Sequence, residues 1–189
     1  FFQADILELQ DLNMSFDLIE CVGVLHHMND PNQGLRVLSK KLRTDGIMKI
    51  GLYSQIAREH MKIMELRQDI AARELTPAVG DLRSYREILK VSQEKFGHIL
   101  RASDFYSSSE FRDLLFHFQE HCYGLPEIEK VLNNEGLKFL GFATDYIFDF
   151  LELFRDKSDL QSLKLWNEFE ITYPETFKAM YQFWVRKKV

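Results

Sequence analysis

The stretch from Phe16 to Pro31 constrains the fold more than any other part of the chain. Six apolar residues form a nearly continuous run there, namely Leu18, Ile19, Cys21, Val22, Val24 and Leu25. Such a run is typical of a central strand covered on both faces in a parallel sheet. Two histidines end the run, and Asp30 then offers an N-cap before Pro31. Because open α/β sheets bind ligands at the carboxyl ends of such strands, we expect the site near Gly23–Met28.

The elements that follow predict a βαβ unit. Leu35, Leu38 and Leu42 lie at helical spacing and indicate a helix over 31–42, and a second apolar strand covers 47–53. Further along, the patterns predict helices over 55–74, 81–96 and 145–154, strands over 137–142 and 180–186, and helices opened by Ser107, Pro126 and Ser158. The helix after Ser107 carries an apolar stripe of Phe111, Leu114, Leu115, Phe118 and Cys122.

Composition excludes some functional classes. The chain has 189 residues, 46% of them apolar, and a net charge of -5, and its longest basic run is Arg186–Lys188. A nucleic-acid binder more often carries a basic patch, so we expect no nucleic-acid partner. Two cysteines without metal-like spacing predict buried free thiols and a reducing cytoplasm. No apolar run reaches transmembrane length, so we expect no membrane partner.

Several short motifs carry a resemblance to a known family. Ala4-Asp5-Ile6, Phe16–Ile19, Gly23–His27, Asp30-Pro31 and Leu42-Arg43-x-x-Gly46 resemble the second half of a class I S-adenosylmethionine-dependent methyltransferase. Gly51–Ser54, Asp104–Ser107, Arg112–His117, Gly141-Phe142 and Met180–Trp184 are similar to a narrower bacterial group, some of whose members are fused to tetratricopeptide repeats.

The resemblance implies a fold and a division of the chain. The fold is an α/β, Rossmann-like methyltransferase sheet that is truncated at the N-terminus and carries a large helical insertion after its fifth strand. We expect a partial cofactor-binding core over 1–54, the helical insertion over 55–135 as a substrate lid, and the last two strands with a helical segment over 136–189.

The resemblance also implies S-adenosyl-L-methionine as cofactor. Asp5 matches the acid that hydrogen-bonds the adenine amino group, Ile6 the residue that packs on the adenine ring, and Cys21, Val22 and Gly23 the strand end near the methionine part. A carboxylate suits an exocyclic amine because it only accepts hydrogen bonds. Two plainer interpretations stay open: Asp5 caps the turn before Leu7, and Gly23 relieves crowding at the strand end.

The chain also departs from the family pattern. Its nine glycines form no G-x-G-x-x-G cluster, and the acid that would bind the ribose is absent. The chain begins with Phe1-Phe2 rather than Met, which predicts the later part of a longer protein holding only part of the cofactor pocket. In the family sheet the strand at 16–25 has a further neighbour, so we expect an unpaired apolar edge and poor solubility without the missing half.

His26 and His27 are the catalytic candidates. One imidazole would serve as general base or as hydrogen-bond partner of the methyl acceptor, and adjacent residues at a strand end point opposite ways, so only one would face the cleft. The alternative is that one histidine caps the following helix region and the other packs. His117 and His121 are four residues apart, but no third ligand has suitable spacing, so we predict no metal site.

The helical insertion supplies the acceptor candidates. Insertions at this point of the family fold often cover the substrate, which implicates Tyr106, Arg112, His117 and Glu120; the alternative is a lid whose polar face is solvated. The expected acceptor is a small molecule, and the oligomeric state stays open. Two other functions stay open: a nicotinamide-dependent oxidoreductase, disfavoured by the lack of a Tyr-x-x-x-Lys pair after the central strands, and a non-catalytic interaction module.

Overall fold

The chain folds into two compact units. A computed structural model describes residues 3–97, 99–117, 119–178 and 180–188. The first unit comprises residues 1–56 and 119–189, and the second comprises residues 57–118. Residues 119–135, which the sequence analysis grouped with the helical insertion, therefore belong to the first unit.

The first unit is built on a mixed sheet. Its strands are β1 (Phe16–Val22), β2 (Leu42–Ser54), β3 (Cys122–Tyr123), β4 (Leu137–Phe142) and β5 (Met180–Lys187). The order is β1-β2-β5-β4, with β3 pairing beside the end of β2. β1 and β3 run parallel to β2, whereas β5 is antiparallel to both β2 and β4. The predicted parallel βαβ unit is confirmed.

Helix α1 (Pro31–Lys41) connects β1 to β2 as the capping signal predicted. The Asp30 side chain accepts hydrogen bonds from the Asn32 and Gln33 N–H groups at 3.0 and 3.2 Å. These bonds satisfy two of the donors that a helix start leaves unpaired. Leu35 and Leu38 face the core, and they contribute to an apolar cluster with Met48, Ile50 and Phe183.

The rest of the first unit covers the sheet with α7 (Leu125–Asn134), α8 (Ile147–Phe154) and α9 (Leu163–Thr172). Aromatic rings dominate this part of the core, and the Phe150 and Trp166 rings stack with centroids 3.9 Å apart. Ser162 caps α9 by accepting a hydrogen bond from the Leu165 N–H group. The predicted cap at Ser158 is wrong, because Ser158 lies in a separate 3-10 turn over Lys157–Gln161 that Asp156 caps.

The second unit is helical and has its own apolar core. Helix α2 (Gln55–His60) leads into it, followed by α3 (Ile63–Ala72), α4 (Val79–Val91), α5 (Gln93–Phe96) and α6 (Ser108–Phe116). The predicted single helix over 55–74 is interrupted at Lys62, whose φ is +56°. Ser107 caps α6 as predicted, but the helix ends at Phe116, so Cys122 belongs to β3 instead. Phe118, also placed in that stripe, lies outside the described residues.

Strand β1 departs most from its prediction. We expected the run from 16 to 25 to be covered on both faces, but β1 ends at Val22 and lies at one end of the sheet order. Cys21 is its buried residue, whereas the Leu18 side chain is 58% exposed. Within the described ranges β1 pairs with β2 alone, which agrees with the expected unpaired edge. The same ranges contain no helix both long and apolar enough to span a membrane.

Candidate active site at the carboxyl ends of strands β1 and β2

The loop after β1 turns sharply at Gly23. Gly23 has a φ of +76°, a left-handed conformation that glycine adopts without the Cβ penalty of other residues. A Cβ built there would meet no atom within 4 Å, so backbone conformation rather than crowding accounts for this glycine. Gly34 is crowded instead: a Cβ there would lie 2.5 Å from Met28 Sδ and 2.8 Å from Leu25 Cδ2, so these two side chains would have to shift.

His26 and His27 lie in the short 3-10 turn Leu25–His27 that follows. The expectation that their side chains point opposite ways is wrong, because it assumed an extended strand. In the tighter turn their ring centroids are 4.3 Å apart, with an interplanar angle of 70°. His26 is fully buried and His27 is half-buried, so the two imidazoles share one site with different access to solvent.

Tyr53 joins the two histidines. Its ring centroid lies 3.8 Å from that of His26 and 5.6 Å from that of His27. Sequence reasoning did not place Tyr53 in the site, although it is the penultimate residue of β2 and β1 runs parallel to that strand. The carboxyl ends of parallel neighbours meet at one edge of a sheet, and this was the signal that could have identified it.

Residues 119–121 contact both histidines. The Gln119 carbonyl oxygen is 3.1 Å from His27 Nδ1, and the His121 N–H group donates to the His26 carbonyl oxygen at 2.9 Å. The Gln119 side chain also donates to the Asn29 side-chain oxygen. Because a carbonyl only accepts, this contact assigns a ring hydrogen to His27 Nδ1 and leaves Nε2 as the other ring nitrogen.

Glu120 is the predicted acceptor-site residue that the fold brings to the histidines. It lies between Gln119 and His121, and its Oε1 accepts a hydrogen bond from Cys122 Sγ at 3.7 Å. Tyr106, Arg112 and His117 belong to the second unit. There the Tyr106 hydroxyl donates to the Leu100 carbonyl at 2.9 Å, Arg112 is exposed on α6, and the His117 N–H group donates to Asp113 at that helix's end.

Asp5 and Ile6 precede a 3-10 turn over Leu7–Asp11. Asp5 Oδ1 accepts the Leu7 N–H group at 2.8 Å, so Asp5 does cap this turn, as the plainer interpretation held. Its side chain remains exposed, and Ile6 packs partly buried against the main apolar cluster. A carboxylate offers two oxygens and about four acceptor positions, so the capping bond leaves it able to accept from a ligand.

Burial keeps two polar side chains near the strand ends uncharged. At the end of β1, burial raises the pKa of the Cys21 thiol to about 11, partly offset by a hydrogen bond with the Leu25 backbone. In β3, burial raises the pKa of Tyr123 to about 12, assisted by the negative charges of Glu127 and Asp30. Both groups are therefore protonated near neutral pH, so Cys21 offers packing rather than a thiolate nucleophile.

Two other observations bear on ligand binding. A cavity of about 390 Å³ lies near the other end of β2, lined by apolar and aromatic residues that include Ile47, Phe142, Trp166 and Trp184. Within the described part of the chain, no group of three or more His, Cys, Asp and Glu side chains is arranged to hold a metal ion.

Comparison with known proteins agrees with this architecture. Residues 1–50 match a family described as "Methyltransferase domain". An uncharacterized protein of Synechococcus is 30% identical over 190 residues, covering 90% of this chain and 43% of that protein. Two solved structures of PKMT2 from Rickettsia typhi, the second in complex with AdoHcy, have TM-scores of 0.63 and 0.64 at 15% and 16% identity. Each comparison covers 98% of this chain and 38% of the PKMT2 chain.

These matches confirm the resemblance to class I methyltransferases. Residues 1–50 match the methyltransferase family, and the solved structures share the Rossmann-like α/β fold. The chain spans less than half the length of the relatives it matches.

Proposed function

We propose that the full protein transfers a methyl group from S-adenosylmethionine to a small-molecule acceptor. The observation that carries this proposal is the cluster of Gly23, His26, His27 and Tyr53 at the carboxyl ends of two parallel strands. Ligands of open α/β sheets bind at this edge. The family of residues 1–50 and the AdoHcy bound to a structural neighbour support S-adenosylmethionine as the cofactor, since AdoHcy is what remains after methyl transfer.

The proposed cofactor residues fit this role. Asp5 would accept from the adenine amino group with its exposed carboxylate, and Ile6 would present an aliphatic surface to the adenine ring. The positive φ of Gly23 and the open space around it leave the backbone approachable beside the methionine part. Cys21 and Val22 would form the neighbouring wall, where a protonated thiol adds no charge beside the ligand.

Methyl transfer asks little acid–base chemistry of the protein. The cofactor's sulfonium supplies the electrophilic methyl group, and the protein aligns the acceptor and excludes water. An acceptor that carries N–H or O–H must also lose a proton. We assign this proton to His27 Nε2, because the Gln119 contact places the ring's own hydrogen on Nδ1. His26 is fully buried and packs on Tyr53, so it would set the orientation of that ring.

The acceptor side of the site rests on fewer contacts. Glu120 lies beside the histidines and would bind a polar or cationic group of the acceptor. Tyr106, Arg112 and His117 belong to the helical unit, and their acceptor role stays a prediction from the family resemblance. The net charge of -5 favours a small-molecule acceptor over nucleic acid. The free thiols Cys21 and Cys122 support a cytoplasmic location.

Asp5→Asn tests the adenine contact while it preserves the turn. The asparagine oxygen can still accept the Leu7 N–H group, but its amide nitrogen would turn a donor toward the adenine amine. Isothermal titration of the full chain with AdoHcy should show affinity lowered by about 1–3 kcal/mol, or roughly 5- to 150-fold. Asp17→Asn, on the exposed face of β1, is the control and should bind normally. Wild-type full chain that binds no AdoHcy would refute the cofactor assignment.

A second candidate function is a non-catalytic interaction module built on a Rossmann-like remnant. The observation that favours it is the helical second unit, which has an apolar core of its own and could serve as a binding surface. Such a module would bind no AdoHcy as a full chain, so the same titration separates it from a methyltransferase.

A further inference from the structure

A buried carboxyl group lies behind the end of β2. Glu170 on α9 is fully buried, and its two oxygens accept hydrogen bonds from the Ser54 and Tyr181 hydroxyl groups. The Tyr181 contact measures 2.6 Å, and both hydroxyl residues are themselves fully buried. Ser54 is the last residue of β2 and Tyr181 the second of β5, so one side chain joins a helix to two strands.

This arrangement is costly to maintain. Burial raises the pKa of Glu170, while the hydrogen bonds from Ser54 and Tyr181 act to lower it. A well-packed apolar side chain in such a position is often at least as stabilising as a buried ionisable group. A polar network is better suited to fixing one geometry, because each hydroxyl has a single place where its hydrogen bond is satisfied. The function of Glu170 should therefore be sought in what it positions.

The strand end that Glu170 holds also forms the candidate active site. Tyr53 precedes Ser54, and its ring lies against His26 and His27. Tyr53 and Ser54 pair with Cys122 and Tyr123 of β3, directly after the segment that contacts both histidines. A shift of Ser54 would therefore displace Tyr53.

We propose that Glu170 is a positioning residue for the methyl-transfer site, an inference that rests on the proposed function. Its carboxyl group fixes Ser54 and Tyr181, and this fixes the end of β2 so that the Tyr53 ring stays on His26. Glu170 acts through Ser54 and does not touch the cofactor or the acceptor.

Glu170→Leu and Glu170→Gln test this role in the full chain. Leucine fills the space without accepting hydrogen bonds, whereas glutamine offers an amide oxygen and an N–H group to the two hydroxyls. The readout is the proton chemical shifts of the His26 ring, which the ring current of the Tyr53 ring 3.8 Å away changes. Tyr53→Leu provides the reference for complete loss of this displacement.

We expect the His26 signals of Glu170→Leu to move toward those of Tyr53→Leu. In Glu170→Gln, the same signals should stay near their wild-type positions. Glu168→Leu, at an exposed position of the same helix, is the matched control and should leave them unchanged. Ser54→Ala removes one contact and should move the signals in the same direction if Glu170→Leu fails to fold. Unmoved His26 signals in folded Glu170→Leu or Ser54→Ala, or an equal effect of Glu168→Leu, would overturn the role of Glu170.

This experiment is independent of the cofactor. The His26 signals report the position of Tyr53 in the free protein, whereas titration with AdoHcy reports the proposed function. A full chain that binds no AdoHcy would overturn the methyl-transfer site and leave the contact between Glu170 and β2 to be judged by the NMR result alone.

Discussion

Strands β1 and β5 are both rich in apolar residues, yet they have different environments. β5 lies between β2 and β4, and Tyr181, Phe183 and Val185 are fully buried. β1 lies at the end of the sheet order, where Leu18 is 58% exposed. The apolar residues of a strand favour its burial, but the neighbouring strands and the covering helices decide whether the strand is buried. The exposed strand is also the one that leads directly into the candidate active site.

The largest expected effect tests this contrast in burial. Phe183→Ala removes a fully buried ring that lies near Phe139 and Phe142, and it should lower the free energy of unfolding by about 3–5 kcal/mol. Leu18→Ala on β1 should change it by less than about 0.5 kcal/mol. Urea denaturation measures both values. Comparable losses for the two variants would show that β1 is as buried as β5 and would break the comparison.

An intermediate effect is expected where β1 ends. Gly23→Ala places a Cβ in a left-handed conformation and should cost about 1–2 kcal/mol of stability. Gly136→Ala is a matched control, because Gly136 has a φ of +64°, equally open surroundings, and a position just before β4. Both should lower the thermal midpoint similarly, but Gly23→Ala alone should weaken AdoHcy binding in calorimetry. Equal loss of affinity would remove Gly23 from the proposed cofactor site.

The smallest effect concerns the buried end of β1 and is measured as thiol reactivity. The Cys21 pKa of about 11 leaves little thiolate at pH 8, and the residue is shielded from solvent. Cys122 is half-buried, so one thiol per chain should react quickly with iodoacetamide, followed by a second only on unfolding. Cys122→Ala should abolish the fast reaction and Cys21→Ala should not. A fast reaction that is lost in Cys21→Ala and kept in Cys122→Ala would contradict this, because it would mean that β1 opens at its carboxyl end.

Local signals predicted much of the fold because the interactions they describe are themselves local. The Asp30-Pro31 pair located the start of α1, and the aromatic residues over 180–186, which favour strands, located β5. Ser158 misled because the sequence offers three capping residues close together: Asp156 caps the 3-10 turn and Ser162 caps α9, so Ser158 caps neither element. Leu18 misled because the burial of a strand depends on distant parts of the chain.

The proximity of candidate-site residues was predictable only where they follow one another in the chain. Gly23, His26 and His27 follow one another after β1, so their proximity was visible in the sequence. Tyr53 and Glu120 reach them through strand pairing and through the contacts of Gln119 and His121, which connect residues about 90 positions apart. The adenine role of Asp5 came from the family resemblance, and it stays a prediction.

The central claim is that the carboxyl ends of β1 and β2 bind the cofactor. It is tested most directly by following the backbone amide signals of the ¹⁵N-labelled full chain during titration with AdoHcy. We predict that the largest changes fall on Gly23, Val24, His26 and Tyr53, with Gly136 unaffected. Changes confined to the cavity around Trp184, or none at these four residues at saturation, would contradict the claim.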